Sequence, residues 1–241
     1  MKRKSLFVLF LLLFAGIHAY AQVENRFSRH LELDLGLGTA LYYGENDWKV
    51  ANKLEMFTFP AIDLYLTGWV SPVFGIGIGV NGAPFKGLYQ SAAGDGVNFR
   101  PSTLTYYKNA GSKYEAEKLA VQAGSYLDLS FLAHLDLMNV FGGSNTSRLF
   151  DIDAFAGGGC IFGFSDSGNN HDITINAGLM NSLRLSQRLR LWLNVRGAIV
   201  PDFFDGESYL KEPTKTHMFT NRKLDYLFGT TIGISFNFGK E

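Results

Sequence analysis

The chain has 241 residues with 22 basic and 22 acidic side chains, 27 glycines, 6 prolines and 15% aromatic residues. That balance gives no basic excess of the kind that holds nucleic acid, and the single cysteine, Cys160, rules out an intrachain disulfide framework. Stability must come from packing, or from the solvent the protein lives in.

The N-terminus reads Met-Lys-Arg-Lys, then an apolar run from Leu6 to Ile17, then Ala19-Tyr20-Ala21. A basic start, about a dozen apolar residues and a small-residue exit are the three parts of a secretory signal peptide. The run is shorter than the roughly 20 residues that a membrane-spanning helix needs. Residues 1–21 are therefore read as a cleaved signal peptide and 22–241 as one domain. No cysteine follows the exit, so no lipid anchor is expected there. Loss of Lys2, Arg3 and Lys4 leaves 19 basic against 22 acidic residues, a net charge near −3. Beyond residue 21 no apolar run is long enough for a transmembrane helix, so any membrane role must use strands.

Eight segments then alternate with period two, the signature of strands with unlike faces. In the first, Leu31, Leu33, Leu35, Leu37 and Leu41 oppose Glu32, Asp34, Gly36, Gly38 and Ala40. Ile62, Leu64 and Leu66 oppose Asp63, Tyr65 and Thr67; Phe74, Ile76, Ile78 and Val80 oppose Gly75, Gly77, Gly79 and Asn81. Leu127, Leu129, Phe131, Ala133 and Leu135 oppose Asp128, Ser130, Leu132, His134 and Asp136. Phe150, Ile152, Ala154 and Ala156 oppose Asp151, Asp153, Phe155 and Gly157. Ile173, Ile175, Leu179, Leu183 and Leu185 oppose Asp172, Thr174, Asn176, Ser182 and Arg184. Leu189, Leu191, Leu193, Val195 and Ile199 oppose Arg190, Trp192, Asn194 and Arg196. Last, Tyr226, Phe228, Ile232, Ile234, Phe236 and Phe238 oppose Gly229, Thr231, Gly233, Ser235 and Asn237.

The first pattern persists over more than ten residues, where strands of soluble sheets usually run about 5–6 and membrane barrels need roughly 9–11. The polar faces carry glycine, alanine, serine and threonine with single acids or arginines and almost no lysine. Such a face suits a narrow barrel interior filled by side chains better than the solvated surface of a soluble sandwich or lipocalin-like barrel. The wholly apolar opposite face suits lipid. The fold expected is all-β, an eight-stranded antiparallel up-and-down transmembrane barrel.

Connection lengths agree. Ser71-Pro72 and Ser186-Gln187-Arg188 read as tight turns, whereas 44–56, 83–118 and 201–222 read as long outer loops. One pair breaks the rule: 138–148 belongs with the short turns yet is slightly longer than the outer connection near 163–170. In the last strand Tyr226 and Phe228 mark one membrane interface and Phe236 and Phe238 the other. Strict alternation turns Trp69 inward unless Gly68 makes a bulge. Cys160 falls on the lipid-facing parity.

The inward positions hold Glu32, Asp34, Asp63, Asp128, Asp136, Asp151 and Asp153 against Arg184, Arg190, Arg196 and His134. Charges in a narrow lumen must be paired, so these residues are expected to form a structural network that plugs the barrel. The sharper alternative is a small gated pore or a cation site using the excess of carboxylates. Catalysis rests on one feature, His134 with Ser130 and Asp136 on the same face, a placement that alternation produces by chance. No two histidines have metal-ligand spacing, and no P-loop lysine follows the glycine runs at 75–79 and 157–159. No metal, cofactor or catalytic residue is expected.

The segment Tyr65-Leu-Thr-Gly-Trp-Val-Ser-Pro-Val-Phe-Gly-Ile-Gly-Ile-Gly79 resembles the strand–Trp–Ser–Pro–strand hairpin of OmpA-like barrels from the Bacteroidetes lineage. His134-Leu-Asp-Leu-Met-Asn139, Asn176-Ala-Gly-Leu-Met-Asn-Ser-Leu-Arg-Leu185 and the closing Gly233-Ile-Ser-Phe-Asn-Phe-Gly239 resemble it too. The resemblance implies an eight-stranded barrel in a Gram-negative outer membrane with both termini periplasmic. It also implies outer-membrane lipids and the barrel-assembly machinery as partners. Full-length OmpA-like members continue into a peptidoglycan-binding domain, whereas this sequence ends at Glu241, so cell-wall tethering is not expected. The residues after Phe238 also depart from an aromatic C-terminus. The function expected is a non-enzymatic outer-membrane barrel that contributes to envelope structure or presents its loops at 83–118 and 201–222 to partners. A small pore is the alternative, and a lipid-modifying enzyme the third reading.

Overall fold

The computed structural model describes residues 29–44, 47, 50, 52–91, 100–101, 118–143, 148–165, 168–201 and 224–239. The segment 1–21 read as a leader, the centre of the 83–118 connection and nearly all of 201–222 lie outside these residues.

Each of the eight alternating segments is a strand. They are β1 (His30–Tyr43), β2 (Phe57–Trp69), β3 (Phe74–Ser91), β4 (Lys118–Asp136), β5 (Phe150–Ser165), β6 (Gly168–Arg184), β7 (Leu189–Pro201) and β8 (Leu224–Asn237). Every strand pairs antiparallel with its neighbours in sequence, and β1 also pairs with β8, which closes the sheet. The protein is an eight-stranded up-and-down β-barrel. A two-residue segment, Arg100–Pro101, adds to the outer part of β4.

Closure sorts the alternation into a lumen and an outer wall. Phe131 and Ile232 are 73% and 56% exposed, while the adjacent Leu132 and Thr231 are 3% and 1%. Leu35, Ile76, Ile175, Leu193 and Val195 extend the exposed apolar belt around the barrel. A water-soluble barrel would turn this face inward. Cys160 is exposed on the same outer wall.

At one end the strands join by tight turns in which a serine hydroxyl caps the chain. Ser71 Oγ accepts from Phe74 N at 2.9 Å, and Ser186 Oγ accepts from Leu189 N at 3.1 Å. The longer connection at this end contains a short helix, α1 (Leu137–Gly142), whose N-cap Asp136 accepts from Asn139 N at 2.7 Å. That helix accounts for the unexpected length of 138–148. Both ends of the closing pair lie here as well, Glu32 standing opposite Asn237.

Two of the outer connections are shorter than expected. β3 runs to Ser91 and β4 starts at Lys118, so strand takes the first part of the outer 83–118 segment. The alternation there is inverted: Ala83 and Phe85 face in while Lys86 faces out, and an apolar-out rule does not find such a strand. Likewise β5 continues to Ser165 and β6 begins at Gly168, which reduces the expected 163–170 connection to a hairpin turn. Pro201 belongs to β7, so that outer connection starts one residue later than read. The β1–β2 register slips only between Gly38 and Ala40, not at Gly68, and Trp69 faces inward.

Candidate functional site

Side chains fill the lumen in alternating polar and apolar layers. The layer at the tight-turn end is charged. β1 supplies Glu32 and Asp34, β4 His134 and Asp136, β5 Asp151 and Asp153, β6 Arg184 and β7 Arg190. Glu32 accepts from Trp69 Nε1 at 2.8 Å and lies 3.6 Å from Arg190. Asp151 lies 3.9 Å from Arg190 and 4.0 Å from Arg148. Arg184 acts electrostatically on Asp151 and Glu32. Asp34 accepts from the Ser235 hydroxyl, and both oxygens of Asp136 are taken by Asn139. The space these groups leave is a cavity of about 20 Å³ lined by Glu32, Asp34, Asp136, Asp151, Asp153 and Arg190 among others. That is room for about one water. Among the described residues no group of three or more His, Cys, Asp or Glu is placed to hold a metal ion.

The second layer is apolar: Tyr65, Leu132, Phe155, Met180 and Trp192 pack together with exposures of 5% or less. Trp192 fits because Gly36 and Gly233, partners across the closing β1–β8 pair, carry no side chain. A Cβ on Gly36 would lie 2.1 Å, and one on Gly233 2.4 Å, from its ring.

The third layer holds the deepest charges. Arg196 stands 3.2 Å from Asp63 and donates to the Tyr126 hydroxyl at 3.0 Å. Asp63 also accepts from Asn81 at 2.8 Å, Asn194 at 3.1 Å and Thr231 at 2.5 Å. Asp128 accepts from Ser130 at 2.7 Å and Asn176 at 2.8 Å. The excess of inward carboxylates, for which the sequence gives no account, has a partial one here: Asp34, Asp128 and Asp136 are held by neutral hydroxyl and amide donors. Above lies a second apolar layer that includes Tyr42, Phe85, Tyr126, Ile161 and Leu227. There the Tyr42 hydroxyl donates to Asp225 at 2.8 Å.

His134 does not assemble with Ser130 and Asp136. Its Nδ1 stands 2.7 Å from Asp153, and its Nε2 lies 3.4 Å from Thr67 Oγ1. Ser130 is committed to Asp128 in another layer, and Asp136 to α1. The hydroxyl–imidazole–carboxylate line Thr67–His134–Asp153 has the order of a nucleophilic triad, but Thr67 and His134 are 2% and 1% exposed. The neighbouring cavity, with room for about one water, is lined by Thr67 and Asp153 but not by His134.

Alternation alone missed three participants. Asp225 keeps the inward parity of Thr231 and Gly229 one step beyond the segment taken as strand, so extending that parity finds it. Arg148 lies just before β5 and reaches Asp151 three residues on, outside the alternating segment, whereas Thr67 meets His134 across strands, a contact that no spacing within one segment signals.

No protein-family model matches the chain, and no curated protein matches it. Among solved structures it is similar to the outer membrane protein OprG from Pseudomonas aeruginosa, at 10% identity and a TM-score of 0.47, covering 88% of this chain and 97% of that one. Neisserial surface protein A is similar at 9% identity and a TM-score of 0.47, covering 89% and 100%. A major outer membrane protein from Thermus thermophilus is similar at 12% identity and a TM-score of 0.48, covering 88% and 100%.

Proposed function

We propose that this protein is an integral outer-membrane barrel of OmpA-like type, with both termini periplasmic. In this reading it serves the envelope through its wall and outer loops rather than through a conducting or catalytic lumen. The observation that carries the reading is the layering inside the barrel. Two apolar layers enclose the Asp63–Arg196 layer, so an ion would have to displace packed aromatic rings on both sides of a fixed charge pair. The continuous apolar belt places the wall in hydrocarbon, where strands need a closed ladder. The short turns, together with both chain ends, suit the periplasmic side and the longer connections the outside. Bilayer lipids and the barrel-assembly machinery are the partners this fold requires, and protein partners are assigned to the loops between β3 and β4 and between β7 and β8.

Planar-bilayer recording of the purified protein tests the reading. The expected result is no steady conductance, or only rare small openings. A large, stable open channel would establish the pore in its place. Phospholipid hydrolysis that disappears in His134→Ala would establish the enzyme.

A further inference from the structure

From Leu185 up to Ile173 the outward residues of β6 are apolar except Asn181. Its neighbours in sequence, Met180 and Ser182, are buried in the lumen, so period two turns Asn181 outward. Leu179 and Leu183 flank it along the strand, and Ile152 on β5 and Leu193 on β7 flank it across the ladder. Its height in the wall follows from the register. Leu185 bonds Leu189 at the foot of the β6–β7 hairpin, and Leu189 pairs with Phe236 of the lower aromatic band. Asn181 is four residues above Leu185, which on a tilted strand is about 10 Å inside the apolar belt. Its amide has no hydrogen-bond partner among the described residues. Hydrocarbon holds no water to take those bonds, so an amide left bare at this depth is costly.

A lipid tail offers neither donor nor acceptor, and headgroups lie beyond the aromatic band. A second Asn181 offers both. An amide carries N–H donors and a carbonyl acceptor, so two copies related by a twofold axis satisfy each other reciprocally. The flanks of Asn181 suit the same axis, which sets the β5 side of one copy against the β7 side of the other. Above Ile152, the outward side of β5 carries only Ala154, Ala156 and Gly158, a low shelf. On β7 the outward Leu193 and Val195 stand 45% and 50% exposed. Each copy thus brings one recess and one ridge, and the twofold axis seats ridge in recess twice. A shelf of small residues would accept any apolar neighbour; the amide fixes where the axis falls and what stands across it.

We propose that two copies of this chain pair side by side in the bilayer through the outer faces of β5, β6 and β7, with their Asn181 amides bonded to each other across the twofold axis. The proposal rests on the membrane reading above. Sedimentation equilibrium of the full protein in density-matched detergent micelles should show a dimer. Asn181→Leu should weaken it about tenfold, as loss of two hydrogen bonds within a membrane does. Ala156→Phe, which fills the shelf and keeps the amide, should weaken it as well. Both changes lie on the outer wall, so the compact band on unboiled gels should be unaltered. In phosphatidylcholine vesicles, Leu183→Cys in a Cys160→Ser background should be joined to its own copy by a short bifunctional methanethiosulfonate. Ile62→Cys, on the opposite wall, should not. A monomer in both settings overturns the pair, as does a dimer indifferent to Asn181→Leu or one joined equally through Ile62→Cys. Protein that stays free of the vesicles on flotation overturns the membrane reading instead.

Discussion

Asp63 on β2 and Arg196 on β7 meet inside the barrel at 3.2 Å, with side chains 0% and 2% exposed. Two strands, β1 and β8, separate them along the shorter way round the wall. Removing Arg196 leaves a buried carboxylate without its counter-charge, a loss of about 3–5 kcal/mol for a buried pair. Arg196→Ala should therefore lower the temperature at which the compact band disappears on unboiled gels. Arg190, 18% exposed beside the cavity, should matter less when changed to Ala. Equal shifts, or the reverse order, would contradict this layering.

The slot for Trp192 gives a second expectation. Gly36→Ala drives a methyl group into the ring, and Gly233→Ala drives one into both the ring and the Leu35 carbonyl, 2.0 Å away; each should cost about 1–3 kcal/mol, as overpacking does. Gly197→Ala is the control, since a Cβ there meets nothing nearer than 3.8 Å. Urea-dependent refolding into vesicles would measure all three. A neutral Gly36→Ala would show that Trp192 is not held as described.

On the outer wall, Ile232→Arg should cost roughly 2–4 kcal/mol in the same refolding measurement if the residue sits at the bilayer midplane. Leu191→Arg should behave similarly. If the unmodified protein dissolves without detergent and tolerates Ile232→Arg, the wall does not face lipid.

Asp47 lies outside the strands and ties the chain after β1 to the edge of β3. Burial pushes its carboxyl up from its usual 3.8 to about 6, against the opposing effects of the Gly44 and Leu88 amides and of Lys53. The Lys53 ammonium also donates to the Asp47 carbonyl, and the Tyr42 ring lies on the other side, against Gly87. A raised carboxyl pKa means that the folded state favours the proton. Its stabilising contribution is complete below pH 3.8 and is lost as pH rises through about 6. The Asp47 carboxyl carbon and the Leu88 amide should titrate together by NMR with a midpoint near 6. Leu88 should also be better protected from exchange at about pH 4 than at about pH 7. A midpoint at or below about 4, the ordinary aspartate value, would contradict this.

The barrel was legible because its wall obeys one rule from end to end. Leu31 to Leu37 and Ile232 to Phe238 alternate without exception, and lipid selects that pattern more strictly than water does. The rule fails where lipid ends. Lys86 and Leu88 break the pattern because one meets solvent and the other the Val50–Met56 segment. Within the lumen, alternation places a side chain inside but does not say what it touches. It puts His134 and Asp153 on inward faces of β4 and β5, yet only the cross-strand register, in which His134 faces Phe155 and Asp136 faces Asp153, brings the imidazole to that carboxylate. The pairing of Asp128 with Asn176 likewise depends on β4, β5 and β6 lying side by side.

The Asp63 layer also bears on how the chain finds its closing register. The donors to this one carboxylate come from β3, β7 and β8, on both sides of the junction between β1 and β8. Sliding β8 past β1 by one residue would turn Thr231 toward lipid and Ile232 into the lumen, as any odd slip in a period-two ladder must. The slipped barrel would bury Asp63 with a methyl group where its hydroxyl donor had been. The charged layer thus penalises a slipped junction, because Asp63 keeps all three donors only when β1 and β8 meet in register.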